Sequence, residues 1–169
     1  MKVINLFGGP GSGKSTTAAG LFHLLKLNKY DVELVTEYAK EMVWEERSNI
    51  LDDQLYITAK QNRKLSRLLN HDIDLVVTDS PLILGKYYVS SGYIQNTYYP
   101  LINALFNKYN NINYFLNRVK EYNIKGRNQT EDEANKIAQT IRLDFNMNFK
   151  IIDGDENAHI KIFEDIQKL

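Results

Sequence analysis

Short apolar runs alternate along this chain with longer stretches in which apolar residues recur every three or four positions. Val3-Ile4-Asn5-Leu6-Phe7 reads as a buried strand over about 2–7, and a helix follows from Lys14 to about Lys29. Asp31–Thr36 alternates with period two and predicts a second strand, followed by a helix over Glu37–Arg47. A longer helix is expected over about Asp52–Asn70, with Leu55, Ala59, Leu65, Leu68 and Leu69 on its apolar side. Ile73–Thr78 predicts a third strand ending at Asp79-Ser80-Pro81. Two short helical stretches cover about Leu82–Ser90 and Tyr98–Tyr109, and Ile112–Leu116 is a fourth strand. The polar segment Asn117–Thr130 leads into a helix over about Glu131–Phe145. Phe149–Asp153 is a fifth strand, and an amphipathic helix over about Glu156–Leu169 comes last. Strands separated by helices of this length predict an α/β protein with a parallel sheet covered on both faces. The pattern shows no composition break, repeat or Gly/Ser linker over residues 1–169, so one domain is expected.

In such sheets ligands bind beyond the carboxyl ends of the strands. The polar residues at those ends are therefore the candidates for chemistry. After the first strand, Gly8-Gly9-Pro10-Gly11-Ser12-Gly13-Lys14-Ser15 fits the phosphate-loop pattern, with Thr16 opening the helix. The loop's N–H groups and the helix N-terminus suit a polyphosphate. Lys14 is expected to reach the β- and γ-phosphates, and the Ser15 hydroxyl to ligate Mg²⁺. After the third strand, Asp79 could hold Mg²⁺ or act as a base; after the second, Glu37 could take a proton from an attacking hydroxyl. Which of the two is the base and which serves the metal stays open at this level.

Arg118 and Arg127 bracket a segment without apolar periodicity, flexible at Gly126, that reads as a short lid over about 118–130. Arg127 is the first choice for charge on the transferring phosphoryl, with Arg142 the alternative. Thr130-Glu131-Asp132-Glu133 looks like a capping box. On the acceptor side, Gln54, Thr58 and Gln61 share one helix face. A carboxamide can pair with the edge of a base. Tyr38, Trp44, Tyr87, Tyr88 and Tyr93 are candidates for a stacking wall, and Arg63 for an acceptor phosphate.

Composition narrows the field. Twenty-one basic and 21 acidic residues give zero formal charge, which argues against non-specific nucleic-acid binding while leaving room for a local basic groove. The chain has no cysteine, which removes disulfides and thiolate chemistry. His23, His71 and His159 show no metal spacing. No apolar run is long enough to span a membrane, and Met1-Lys2-Val3 runs straight into the first strand. A cytoplasmic protein is expected, in the host cytoplasm if phage-encoded, with oligomeric state open and a dimer among the options.

Several segments together resemble the small P-loop kinases: Gly8–Thr16, Thr36-Glu37-Tyr38-Ala39-Lys40, Gln54 to Gln61, Thr78-Asp79-Ser80-Pro81, Arg118 to Arg127 with Gln129-Thr130-Glu131, and Asp153-Gly154-Asp155. The likeness is to thymidylate-kinase and nicotinamide-riboside-kinase types, above all to short phage versions, which include kinases of 5-hydroxymethyluracil in DNA. The resemblance implies a three-layer P-loop kinase fold, a five-stranded parallel sheet of order 2-3-1-4-5, ATP and Mg²⁺. It places Arg118 near the adenine, with the Asp153-Gly154 turn on the other side. Thymidylate kinases usually carry Asp-Arg where this chain has Asp79-Ser80-Pro81, so an arginine for an acceptor phosphate is missing there. That favours a hydroxyl on a nucleoside, or on a base within DNA, over a nucleoside monophosphate. A nucleotide switch or an ATPase without a small acceptor is the competing class. Asn117-Arg118-Val119-Lys120 lacks the Asn-Lys-x-Asp segment of a guanine switch.

Overall fold

The computed structural model describes residues 1–89, 94–124, 130–144 and 147–169. Five strands form one sheet: β1 (Lys2–Phe7), β2 (Val32–Val35), β3 (Leu75–Thr78), β4 (Asn110–Asn117) and β5 (Lys150–Asp153). All neighbours run parallel, in the order β2-β3-β1-β4-β5, with Ile4 beside Val77 and Phe7 beside Phe115. Among the described residues six α-helices accompany the sheet: α1 (Lys14–Leu27), α2 (Tyr38–Trp44), α3 (Gln54–Ser66), α4 (Ile94–Asn107), α5 (Glu131–Arg142) and α6 (Ala158–Ile166). The expected class and strand order are both found.

Alternation along β1 builds the three layers. Val3 and Phe7 point to one face, where Leu65, Ile102, Phe106 and Ile141 bring in α3, α4 and α5. Ile4 and Leu6 point to the other, where Leu21, Leu25, Ile162 and Ile166 bring in α1 and α6. Both faces of the sheet are thus dry, as a parallel sheet requires.

Several boundaries differ from the pattern-based expectation. β4 starts at Asn110, two residues before the apolar run, because its asparagines have a partner in β1. Asn5 is 1% exposed, and its Nδ2 donates to the Oδ1 atoms of Asn111 at 2.8 Å and Asn113 at 3.0 Å. α1 stops at Leu27, where Lys29 turns left-handed (φ 63°) and Tyr30 N–H reaches back to Leu25 O at 3.1 Å. The short helical stretch expected from Leu82 is a 3-10 helix over Leu82–Tyr87. It keeps Gly85 where the Tyr98 hydroxyl crowds in; that hydroxyl bonds Thr58 Oγ1 at 2.6 Å. α4 begins at Ile94, four residues earlier than expected, and carries Pro100 inside it. The expected capping box is present: Glu133 N–H donates to Thr130 Oγ1 at 3.3 Å, and Thr130 N–H donates to Glu133 Oε2 at 2.7 Å. Among the described residues no helix is long and apolar enough to cross a membrane.

Candidate functional site

β1, β2 and β3 all point their carboxyl ends at one cleft of about 580 Å³. The phosphate loop forms its floor. Gly8 (φ 139°) and Gly13 (φ 90°) take backbone angles that L side chains rarely adopt, and a Cβ on Gly8 would lie 2.7 Å from Leu116 O. Gly9 is buried under α5: a Cβ there would meet Ala134 O at 2.7 Å and Ala138 Cβ at 2.8 Å. On the other side Gly154 fits against Ser12 O, and its N–H donates to Asn117 O at 2.8 Å. The loop is therefore held between the turn after β5 and the helix that follows the expected lid.

Lys14 Nζ donates to the carbonyls of Gly8 at 2.9 Å and Gly9 at 3.1 Å, which aims the ammonium across the loop. Pro10 to Thr16 line the cleft together with Glu37 and Asp79. Asp79 is 5% exposed, and among the described residues its Oδ1 has no hydrogen-bond partner. A carboxylate oxygen buried in that state calls for a ligand. A side cavity of about 210 Å³ is shared by Ser15, Glu37 and Asp79. Hydroxyl and carboxylate oxygens suit Mg²⁺, which is usually held by one or two carboxylates plus phosphate oxygens. Among the described residues no cluster of three or more acidic or histidine side chains could hold a metal without such phosphates.

Glu37 closes β2 and sits at the N-cap of α2, yet its carboxylate makes no capping bond to that helix. Burial pushes its carboxyl above the usual range. Lys14 opposes this, the nearby Asp79 adds to it, and Lys40 and Lys64 oppose it. α3 holds the turn that carries Glu37. Tyr38 N–H donates to Gln61 Oε1 at 2.9 Å, while Gln61 Nε2 and Lys64 Nζ donate to Thr36 O at 3.3 and 3.2 Å.

Farther from the loop the cleft turns apolar, with Val43, Trp44, Leu51, Ile57 and Leu84, and with Tyr88 at its edge. Gln54, Thr58 and Gln61 all line it, as their shared helix face requires. Gln54 Nε2 donates to Leu51 O at 2.7 Å. Trp44 is 65% exposed at the rim. The structure does not bring Tyr38 or Arg63 to this wall. Tyr38 turns its ring onto Tyr56, its hydroxyl 3.2 Å from that of Tyr56, and Arg63 is exposed on the outer side of α3. Tyr87 is also elsewhere, its hydroxyl donating to Asp144 at 2.7 Å.

Arg118 lies beyond β4, over Gly11. Its guanidinium stacks on Tyr122 (5.1 Å to the ring centroid), pairs with Glu131 at 2.9 Å and donates to Asn135 at 2.6 Å. Asp153 accepts from Asn117 Nδ2 at 3.1 Å, and Arg142 donates to Asn117 Oδ1 at 3.4 Å. Arg127, Gly126 and Gln129 of the expected lid, and Tyr93, lie outside the described residues. Two features around the loop were not singled out from the sequence. Lys40 lines the wall one α2 turn after Glu37, a spacing the sequence does display. The Arg118–Tyr122 stack had no periodic signal in its polar segment.

A family model described as an AAA domain matches residues 3–153. A comparison with curated proteins finds no match. Among solved structures, the deoxyadenosine kinase of M. mycoides with bound dATP superposes with a TM-score of 0.61 at 19% sequence identity, covering 100% of both chains. That likeness establishes a shared fold.

Proposed function

The chain belongs to the AAA-domain family, and from that premise we propose that it is an ATP-dependent kinase acting on a hydroxyl of a nucleoside-type acceptor. One observation carries the reading: two carboxylates, the half-buried Glu37 and the buried Asp79, line the same cleft as the phosphate loop and share a side cavity with Ser15. ATP's phosphates would lie in the N–H groups of Gly8–Thr16 with Lys14 on the β- and γ-phosphates. Arg118 would pack by the adenine, and the Asp153-Gly154 turn would back the loop from the other side. Ser15 and Asp79 would hold Mg²⁺, which neutralises phosphate charge. The acceptor oxygen attacks the γ-phosphorus and its proton passes to Glu37. The bond to the bridging oxygen breaks, its electron pair leaving with ADP. Arg127, with Arg142 as the alternative, would stabilise the charge on the transferring group.

The apolar half of the cleft favours an organic acceptor over water. Trp44, Leu51, Ile57 and Leu84 supply a surface that hydrolysis alone does not need. Gln54 is the carboxamide there for a base edge. Within this class we put first the 5-hydroxymethyl group of hydroxymethyluracil in DNA, ahead of a free deoxynucleoside or nucleoside monophosphate. Two features support that order. No arginine follows Asp79 to take an acceptor phosphate, and the exposed Trp44 offers a stacking face to a base still attached to a strand.

The test is transfer of labelled γ-phosphate from ATP, with deoxynucleosides, monophosphates, and oligonucleotides containing thymine or hydroxymethyluracil offered side by side. Labelling of the hydroxymethyluracil oligonucleotide alone is the expected result. Labelling of free nucleosides alone overturns the choice of acceptor. ATP hydrolysis with no labelled acceptor overturns the kinase reading.

A further inference from the structure

The turn Thr36-Glu37-Tyr38 joins a four-residue strand to a seven-residue helix, and neither element is long enough to fix it rigidly. A glutamate at an N-cap ordinarily has competing partners beside it, the unpaired N–H groups of the helix's own first turn. Here the carboxylate is not used that way and stays on the cleft wall. What replaces the missing local bonds comes from α3. Gln61 is 4% exposed, and its carboxamide spans the turn, accepting from Tyr38 N–H on one side of Glu37 and donating to Thr36 O on the other. Lys64, one turn farther along α3, donates to the same carbonyl and pairs with Glu41 of α2.

Resting on the kinase reading, we infer that Gln61 is the positioning residue for Glu37: its carboxamide clamps both peptide groups flanking the glutamate and keeps the carboxylate in the cleft instead of on its own helix. The assignment differs from a base-reading role for Gln61. One oxygen lone pair and one N–H of the amide are already engaged by backbone, at 2.9 and 3.3 Å. The same helix carries the acceptor wall through Gln54, Ile57 and Thr58, so a displacement of α3 by an acceptor would reach the turn that carries Glu37 through Gln61 and Lys64.

Gln61→Met keeps the buried volume and deletes both bonds; Gln61→Ala deletes the side chain as well. Gln61→Met is expected to lower kcat at least tenfold, with KM for ATP and for the acceptor changed less than threefold. Gln61→Glu, which restores an acceptor for Tyr38 N–H, should recover part of the loss. A rise in acceptor KM with kcat unchanged overturns the inference in favour of direct acceptor contact, and unaltered kinetics in both variants overturns it outright. A structural arm stands apart from activity: amide exchange at Tyr38 should quicken in Gln61→Met, and a crystal structure of that variant should show the Glu37 carboxylate turned onto the first-turn N–H groups of α2. A Glu37 unmoved in that structure overturns the inference whether or not the protein is a kinase. A wild-type protein that labels no acceptor, with the Glu37 displacement observed, leaves the positioning role standing and removes the kinase reading.

Discussion

Glu37 and Asp79 are two carboxylates within one cleft, and their surroundings treat them differently. Asp79 is buried with an oxygen left for a ligand, while desolvation raises the Glu37 carboxyl above its ordinary value. A raised carboxyl pKa means that Glu37 is protonated, and so unable to accept a proton, at pH values where a free glutamate is already ionised. The acidic limb of kcat/KM against pH, which reports the free protein, should therefore fall above the ordinary glutamate value of about 4.3, and a limb at or below that value would exclude Glu37 as the group responsible. Glu37→Gln should lower kcat by about 10²–10⁴-fold, the usual contribution of a positioned base, while ATP binding persists; retention of most of the activity would move the role to Asp79. Both residues were legible in the sequence because each directly follows an apolar strand run. The partner that holds Glu37 was not. Gln61 was visible as a cleft-facing carboxamide, but its bonds to Thr36 and Tyr38 depend on how α3 packs against a turn 23 residues away. Tyr38 shows the converse: it neighbours Glu37 in sequence, yet helical geometry sends its ring to Tyr56.

At the scale of elements, the nucleotide loop is set by what packs against it. α5 bears on Gly9 so closely that one methyl group has no room. Gly9→Ala should push α5 off the loop, costing about 1–3 kcal/mol of stability as overpacking does, and should weaken ATP binding together with the melting temperature. An unchanged ATP affinity would show that α5 is not coupled to the loop. Helix α5 was foreseen together with the capping box that opens it, and the box is there. The asparagine-rich start of β4 was not foreseen, because asparagine is depleted in strands and only the buried Asn5 across the ladder makes it acceptable. The stretch at Leu82–Tyr87 was read as helical without a type, and its 3-10 geometry, with Gly85 against the Tyr98 hydroxyl, is a detail that local periodicity does not encode.

For the whole molecule, a ligand that binds only the folded state stabilises it by mass action. ATP with Mg²⁺ at about one hundred times its Kd should contribute about 2.7 kcal/mol, which raises the melting temperature by about 5–10 °C for a domain of this size. Lys14→Ala should remove most of that shift while melting at a similar temperature without ATP; a full shift in the variant would contradict the phosphate-loop assignment. The strand order was legible only through likeness to the P-loop kinases, since alternation of strands and helices predicts a parallel sheet but not which strand lies in the middle.

That middle position has a consequence for how the protein is made. The residues that specify the nucleotide loop are synthesised well before the segments that support them. β1 lies between β3 and β4, whose first paired residues are Leu75 and Asn110, and the loop is backed by Gly154 against Ser12. During translation at about 5–20 residues per second, the loop sequence waits for several seconds as an apolar strand followed by glycines, with no sheet to join. Competence to bind a phosphate thus arrives late and all together, when the turn after β5 docks. A nascent chain short of that turn carries the motif without the site.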